Sequence, residues 1–301
     1  MTVLLETPSD AAPKGRRTSR RPKVAVRNSG LMLPAVALVL IVFVTPVCYV
    51  VAQSFSDPSL GLQNYQWLFS TGRNLEVILR TLGVALAATF ICALLGYPYA
   101  YVMSMSGPRM RGILTALVIL PFWTSMMVRT FAWVIILQDN GLLNSLLGVV
   151  GLPGQSLLGT TWAVLIGMCQ VLMPFMVLPM ASTMQSIDQK LPLAAQVMGA
   201  SPARGFWTVY FPLSLPGVLA GGLMVFILSL GFYVTPAILG SPRDQLLPNA
   251  LYTQILELLN WGQGGALAVA LLVIVAGILL CVAALGRGFK VKVADLGGAK
   301  L

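Results

Sequence analysis

Charge is what this sequence has least of: only 9% of its 301 residues are Asp, Glu, Lys or Arg, against roughly a quarter in an ordinary soluble domain. Histidine is absent altogether, which removes the most frequent general base and metal ligand. The four cysteines, Cys48, Cys92, Cys169 and Cys281, sit inside apolar runs without paired spacing. They read as small packing residues, not as a disulfide framework or a metal site. No Gly-x-x-x-x-Gly-Lys-Ser/Thr loop occurs, so the chain cannot cradle ATP phosphates in the Walker manner. There is no Ser/His/Asp set, no Cys/His cluster and no pair of carboxylates within an apolar run. Ion-coupled transport uses ionisable groups at membrane depth. A chain without them that moves solute must draw its energy from elsewhere.

Apolar residues are abundant in their place, at 57% of the chain. A membrane span needs about 20 of them in a row. Six runs qualify, at 31–52, 81–103, 113–137, 160–182, 216–239 and 265–286, and Arg129 is the one formal charge inside them. The expected class is therefore all-α, a polytopic membrane protein with six transmembrane helices. Short alternating strands, the mark of a membrane β-barrel, are missing.

The net charge of +10 invites a nucleic-acid reading, but the basic residues are distributed otherwise. They gather in the N-terminal tail (Lys14, Arg16, Arg17, Arg20, Arg21, Lys23, Arg27), at Arg109 and Arg111, at Lys190 and Arg204, and after the last run (Arg287, Lys290, Lys292, Lys300). With six spans all of these fall on one side, and the positive-inside rule places both termini there, in the cytoplasm. Residues 1–28 read as a disordered basic tail that rests on anionic lipid rather than nucleic acid. Residues 29–288 form the membrane domain and 289–301 a cytoplasmic C-terminal tail.

Between the fourth and fifth runs lies Met184–Pro216, a semi-polar insert with its own punctuation. Pro192 suits a first helical turn, and a helix through Ala194, Ala195 and Val197 should stop at Gly199. Ser201-Pro202 supplies an N-cap and first-turn proline for a second short helix, expected to end before Pro212. The spacing Ala194-Ala195, three residues, Gly199, nine residues, Val209-x-Phe211-Pro212 resembles the Glu-Ala-Ala loop of permease subunits in bacterial ABC importers. Leu193 stands where that family has Glu, which touches one polar contact to the ATPase and not the docking as such. The resemblance implies that this cytoplasmic loop, 184–216, is a coupling helix seated in a groove of an ATPase. Its contact residues would be Leu193, Ala194, Ala195, Gly199, Ala200, Ser201, Arg204 and Pro212.

The third run adds Leu120-Pro-Phe-Trp-Thr and Val128-Arg-Thr-Phe-Ala-Trp133, followed by Gln138-Asp-Asn-Gly141. This pattern resembles the spermidine/putrescine branch of the same permeases. Gly61-Leu-Gln-Asn64-Tyr65 resembles the segment in which an Asn-Tyr pair precedes a short helix along the outer surface. The resemblance covers about residues 30–290. It implies a bacterial inner-membrane subunit that binds no cofactor itself. Its partners would be a second permease subunit of a different chain, two ATPases that hydrolyse ATP, and a periplasmic binding protein. Trp123, Ser125, Arg129, Trp133, Tyr233 and Asp244 are candidates for the substrate path, because a cationic solute suits acidic and aromatic groups. Ser125 and Trp133 share the face of Arg129 at i±4, so an Arg129–Trp133 cation–π contact is one reading and interfacial snorkelling another. A secondary transporter or channel, a non-transporting membrane anchor or enzyme subunit, and an ABC permease for amino-acid-like compounds, phosphonates or ferric iron stay open as alternatives.

Overall fold

The computed structural model describes residues 29–151 and 154–297, with side chains to residue 284. The basic segment 1–28 lies outside the described residues. By internal contacts the chain divides into two units, one up to Val47 and one from Cys48 onward. The first holds the start of helix α1 (Ser29–Ser56), with Pro34 and Pro46 inside the helix. The second holds the rest, and every contact given below lies within it.

The helices in order are α2 (Gln63–Ser70), α3 (Gly72–Met105), α4 (Pro108–Ile119), α5 (Met126–Leu137), α6 (Leu142–Val149) and α7 (Thr161–Gln185). They continue with α8 (Lys190–Val197), α9 (Pro202–Gly205), α10 (Phe211–Leu230), α11 (Val234–Leu239), α12 (Leu247–Tyr252) and α13 (Trp261–Gly297). Six stretches are long and apolar enough to cross a membrane. The expected all-helical class holds, and among the described residues there is no strand.

Helix α7 is the axis of the packing. Its Met168, Leu172, Met176, Met180 and Met184 are fully buried, and α3 and α10 lie against it. Methionine suits this role because its unbranched thioether fills uneven gaps between helices. Close approach depends on two glycines one turn apart. A Cβ on Gly221 would lie 2.8 Å from the Met176 carbonyl oxygen, and one on Gly217 would lie 2.7 Å from the Thr183 side chain. Gly217 and Gly221 thus form a small-xxx-small face, the α10 surface that packs on α7. Two of the cysteines meet across α3 and α7, where Cys92 Sγ lies 3.8 Å from the Cys169 carbonyl and Cys169 Sγ lies 3.8 Å from that of Ala88.

The structure corrects four expectations. The third run is not one rod: α4 gives way to a 3-10 turn at Leu120–Trp123 and extended backbone at Thr124 before α5 begins at Met126. Pro121, which lacks an N–H, interrupts the ladder there. The fifth span ends at Leu230 rather than 239, because Gly231 breaks the helix and α11 starts separately. The sixth helix continues past residue 289 to Gly297, so the segment expected as a tail begins as helix. Asn64 and Tyr65 lie inside α2 rather than before it. There they fasten the end of α1: Asn64 Nδ2 donates to the carbonyls of Ser54 (2.9 Å) and Asp57 (2.7 Å), and the Tyr65 and Ser54 hydroxyls are 2.8 Å apart.

Candidate functional site

The insert folds as a hairpin of α8 and α9. Pro192 occupies the first turn of α8. After Val197 the chain closes with two backbone bonds, Gly199 N–H to Gln196 O at 2.9 Å and Ala200 N–H to Ala195 O at 3.0 Å. This 5→2 plus 6→1 pair is a Schellman cap, and it requires the left-handed backbone found at Gly199, with φ of +94°. Ser201 then caps α9, its hydroxyl accepting from Arg204 N–H at 3.3 Å, with Pro202 at the first helical position. Helix α8 packs over Gly205, where a Cβ would lie 3.4 Å from the Pro192 carbonyl oxygen.

The second helix does not end before Pro212. It widens into a π-turn at Phe206–Tyr210, with Phe211 N–H bonding five residues back to Phe206, and runs on as α10. A wider turn draws the preceding carbonyls away from the proline ring, so the helix passes a residue that would otherwise break it. The consequence is mechanical. The hairpin is joined to the fifth span by continuous helix and not by a flexible link.

The same π-turn aims its aromatic rings at α3. Phe206 meets Tyr97 and Tyr101 edge-on at 6.2 and 5.7 Å, and Tyr210 meets Tyr101 at 5.2 Å. Phe211 lies 5.7 Å from Tyr97. Hydroxyl pairs fix the register: Tyr97 with Ser214 at 2.9 Å and Tyr210 with Ser104 at 3.1 Å. Tyr97 and Tyr101 are the α3 half of this clamp. Each ring pair adds about 0.5–1.5 kcal/mol beyond its buried area.

On its outer side the hairpin is apolar and uncovered. Leu193, Val197 and Met198 are exposed, the last two at 89% and 84%, while Ala194 is exposed and Ala195 and Ala200 are half-buried. Arg204 and Pro212 are exposed as well.

The six candidates for the substrate path are spread over the 3-10 turn at Leu120–Trp123, α5, the start of α11 and the turn at Pro242–Asp244. Trp123 stands on the 3-10 turn, 88% exposed, and Ser125 is the N-cap of α5 with its carbonyl accepting from Arg129 N–H. The Trp133 indole N–H donates to Gln170 Oε1 of α7 at 2.6 Å. Arg129 Nε and Nη1 are buried and make no hydrogen bond among the described residues. Tyr233 stacks on Tyr252 at 5.0 Å. Asp244 accepts from Ser241 at 2.8 Å and faces Arg80 at 3.7 Å, so its charge is already answered within the chain. Gln170 was not singled out from sequence. An isolated amide in an apolar run was the signal, and it passes unnoticed beside an arginine.

The family described as "Binding-protein-dependent transport system inner membrane component" matches residues 96–288. The spermidine/putrescine transport system permease protein PotB of Haemophilus influenzae is 35% identical over 220 residues, covering 72% of this chain and 76% of that protein. The protein of the same name from Escherichia coli is 35% identical over 232 residues, covering 76% and 83%. A crystal structure of a bacterial alginate ABC transporter, in complex with its alginate-pentasaccharide-bound periplasmic protein, aligns with a TM-score of 0.68 at 17% identity. That alignment covers 83% of this chain and 90% of the other, and at this identity it speaks for the fold alone.

Proposed function

Since the chain belongs to the binding-protein-dependent transport system inner membrane components, we propose that it is the permease subunit of an ABC importer for polyamines. The solute rests on the spermidine/putrescine permeases it is similar to. The coupling role rests on one observation: a rigid hairpin with an exposed apolar tip, continuous with one span and clamped by aromatic rings to another. In this reading both termini and the hairpin are cytoplasmic. Leu193, Ala194, Ala195, Gly199, Ala200, Ser201, Arg204 and Pro212 form or shape the contact with an ATPase. A second permease subunit, two ATPases and a periplasmic binding protein complete the machine, and this chain itself hydrolyses nothing.

Mechanically, closing of the ATPases on ATP moves the hairpin, and the π-turn and clamp pass that movement to α10 and α3 together. The spans change between two packed arrangements because each end binds them differently, which is alternating access. Leu193 in place of the family's Glu makes the tip more apolar, so its docking leans on burial rather than on an ion pair. The path would be lined by Trp133, Gln170, Ser125 and Tyr233, with Trp123 at its rim. Arg129 acts there as a gate and not as a ligand. At about 6 Å and an effective dielectric near 20, one cation opposes another by about 3 kcal/mol. Asp244 holds Arg80 and shapes the outer loop.

The test is reconstitution in liposomes with the partner subunits. Spermidine uptake should need ATP, the binding protein and an intact hairpin, and should stop with vanadate. Uptake that follows an ion gradient without ATP would refute the reading. A disulfide between Ala195→Cys and an ATPase groove cysteine would place the hairpin independently of the solute.

A further inference from the structure

At the end of α3 away from the aromatic clamp lies a second feature that the coupling reading leaves unused. Arg80, which anchors it, is 17 residues before Tyr97, about 25 Å along the helix. Arg73, Glu76, Val77 and Arg80 stand on one helical face at i, i+3, i+4 and i+7, and they form one wall of a cavity of about 550 Å³. The other wall is the 3-10 turn Pro242–Asp244 with Gln245.

The charges in this cavity are unequal in their partners. The Arg80 guanidinium is spent: it pairs with Glu76 at 2.7 Å, faces Asp244 at 3.7 Å and donates to the Arg243 carbonyl. Those bonds, with Asp244 N–H to Ser241 O at 2.9 Å and Ser241 Oγ to Asp244 Oδ2 at 2.8 Å, fix the turn that carries Arg243. Arg73 and Arg243 are exposed and form no ion pair among the described residues. Two guanidiniums without ion-pair partners among the described residues therefore line a two-walled cleft whose third arginine serves as its frame.

We propose that this cleft is a docking point for acidic side chains of the periplasmic binding protein, with Arg73 and Arg243 as the receiving groups. The inference rests on the importer reading, which makes the end of α3 opposite the hairpin the face that meets that partner. Arginine forks match carboxylates in two-point geometry. A turn fixed by internal bonds presents them in one orientation, which suits a protein surface better than fluid headgroups. Exposed charge pairs of this kind govern encounter and selectivity more than final affinity, so the contact should weaken steeply with salt.

The experiment uses the whole importer in nanodiscs, with the binding protein that supports spermidine-stimulated ATP hydrolysis as the probe. In R73E/R243E, half-maximal stimulation should need roughly tenfold more binding protein at low salt. Basal hydrolysis should match the parent, and the difference between the two should shrink at high salt. Reversing acids on the binding protein to lysine should restore the double variant in part. R73Q/R243Q should fall between the parent and R73E/R243E. Superimposable stimulation curves for parent and R73E/R243E would overturn the proposal. So would a defect that tracks the anionic lipid content of the disc, which would assign the cleft to phosphate headgroups. If the unaltered complex gives no stimulation with any binding protein, the importer reading itself fails and takes the cleft with it, a result distinct from the first two.

Discussion

Gly199 closes the hairpin with a backbone that side chains resist. Its φ of +94° is far on the left-handed side, yet a Cβ built there would meet nothing within 4 Å. Any penalty from substitution is therefore conformational and not steric, which makes the position a clean probe. Left-handed backbone costs an L-residue about 1–2 kcal/mol. Asn and Asp bear it better than other types, and β-branched residues worst. At about 1.4 kcal/mol per tenfold, Gly199→Ala should shift the balance between closed and opened caps about tenfold, Gly199→Val more and Gly199→Asn less. The opened cap releases the bonds from Gly199 and Ala200, so α8 loses its angle to α9 while the spans keep their packing.

The measurement is spermidine taken up per ATP hydrolysed in liposomes, together with the melting temperature of the purified complex. Coupling should fall in the order Gly, Asn, Ala, Val. The melting temperature should stay within a degree or two, because α8 carries no buried residue. Gly199→Asp should resemble Asn in strain but add a charge to an apolar tip, and so uncouple more than its backbone cost explains. If Asn proves as damaging as Val, the left-handed cap is not the reason glycine stands there. If all variants transport normally, the hairpin does not transmit force.

Four further outcomes follow from the packing. Gly221→Ala should destabilise by about 1–3 kcal/mol, since its Cβ would lie 2.8 Å from the Met176 carbonyl. Its neighbour Gly222→Ala, 3.6 Å from Thr89 Cγ2, should be tolerated, and thermal melts of the two separate close approach from general helix propensity. Tyr210→Phe removes one hydroxyl contact with Ser104, worth about 0.5–1.5 kcal/mol, whereas Tyr210→Ala also empties a buried ring site and should cost about 3–5 kcal/mol by chemical denaturation. Gln170→Leu leaves the Trp133 indole N–H without its acceptor and should cost about 1–3 kcal/mol, read as a lower melting temperature. Arg129→Met, which removes two buried nitrogens without a hydrogen-bond partner among the described residues, should leave the melting temperature unchanged or raise it while altering spermidine flux.

How much of this was legible in the sequence differs by element, for physical reasons. Ser201-Pro202 and Gly199 could be read because caps are local chemistry, decided within a few residues. Six apolar runs could be read because lipid demands a minimum length, but their ends shifted wherever a proline or glycine interrupted them, as at Pro121 and Gly231. Pro212 misled. The rule that proline ends a helix is sound for an α-turn, and a π-turn evades it by widening the ring just ahead, which no local pattern announces. The partner of Asp244 was not legible, since Arg80 lies 164 residues away and only folding brings them together.

The π-turn also explains why the clamp and the hairpin are one device. Widening the helix at Phe206–Tyr210 lets Pro212 pass, and in the same few residues it brings Phe206 and Tyr210 to bear on α3. A straight α-helix through this stretch would rotate those rings away from Tyr97 and Tyr101, because an extra residue in a turn advances every later side chain by about 100°. The hairpin would then pull on α10 alone. With the wider turn it is joined to α10 and α3 together, and α7 packs on α10 through the glycine contacts at Gly217 and Gly221. A bundle with almost no charge in its interior offers no internal lever for ions or protons. What it offers instead is a stiff connection from an exposed apolar tip to three packed spans, and that is the arrangement a force applied from outside the chain requires.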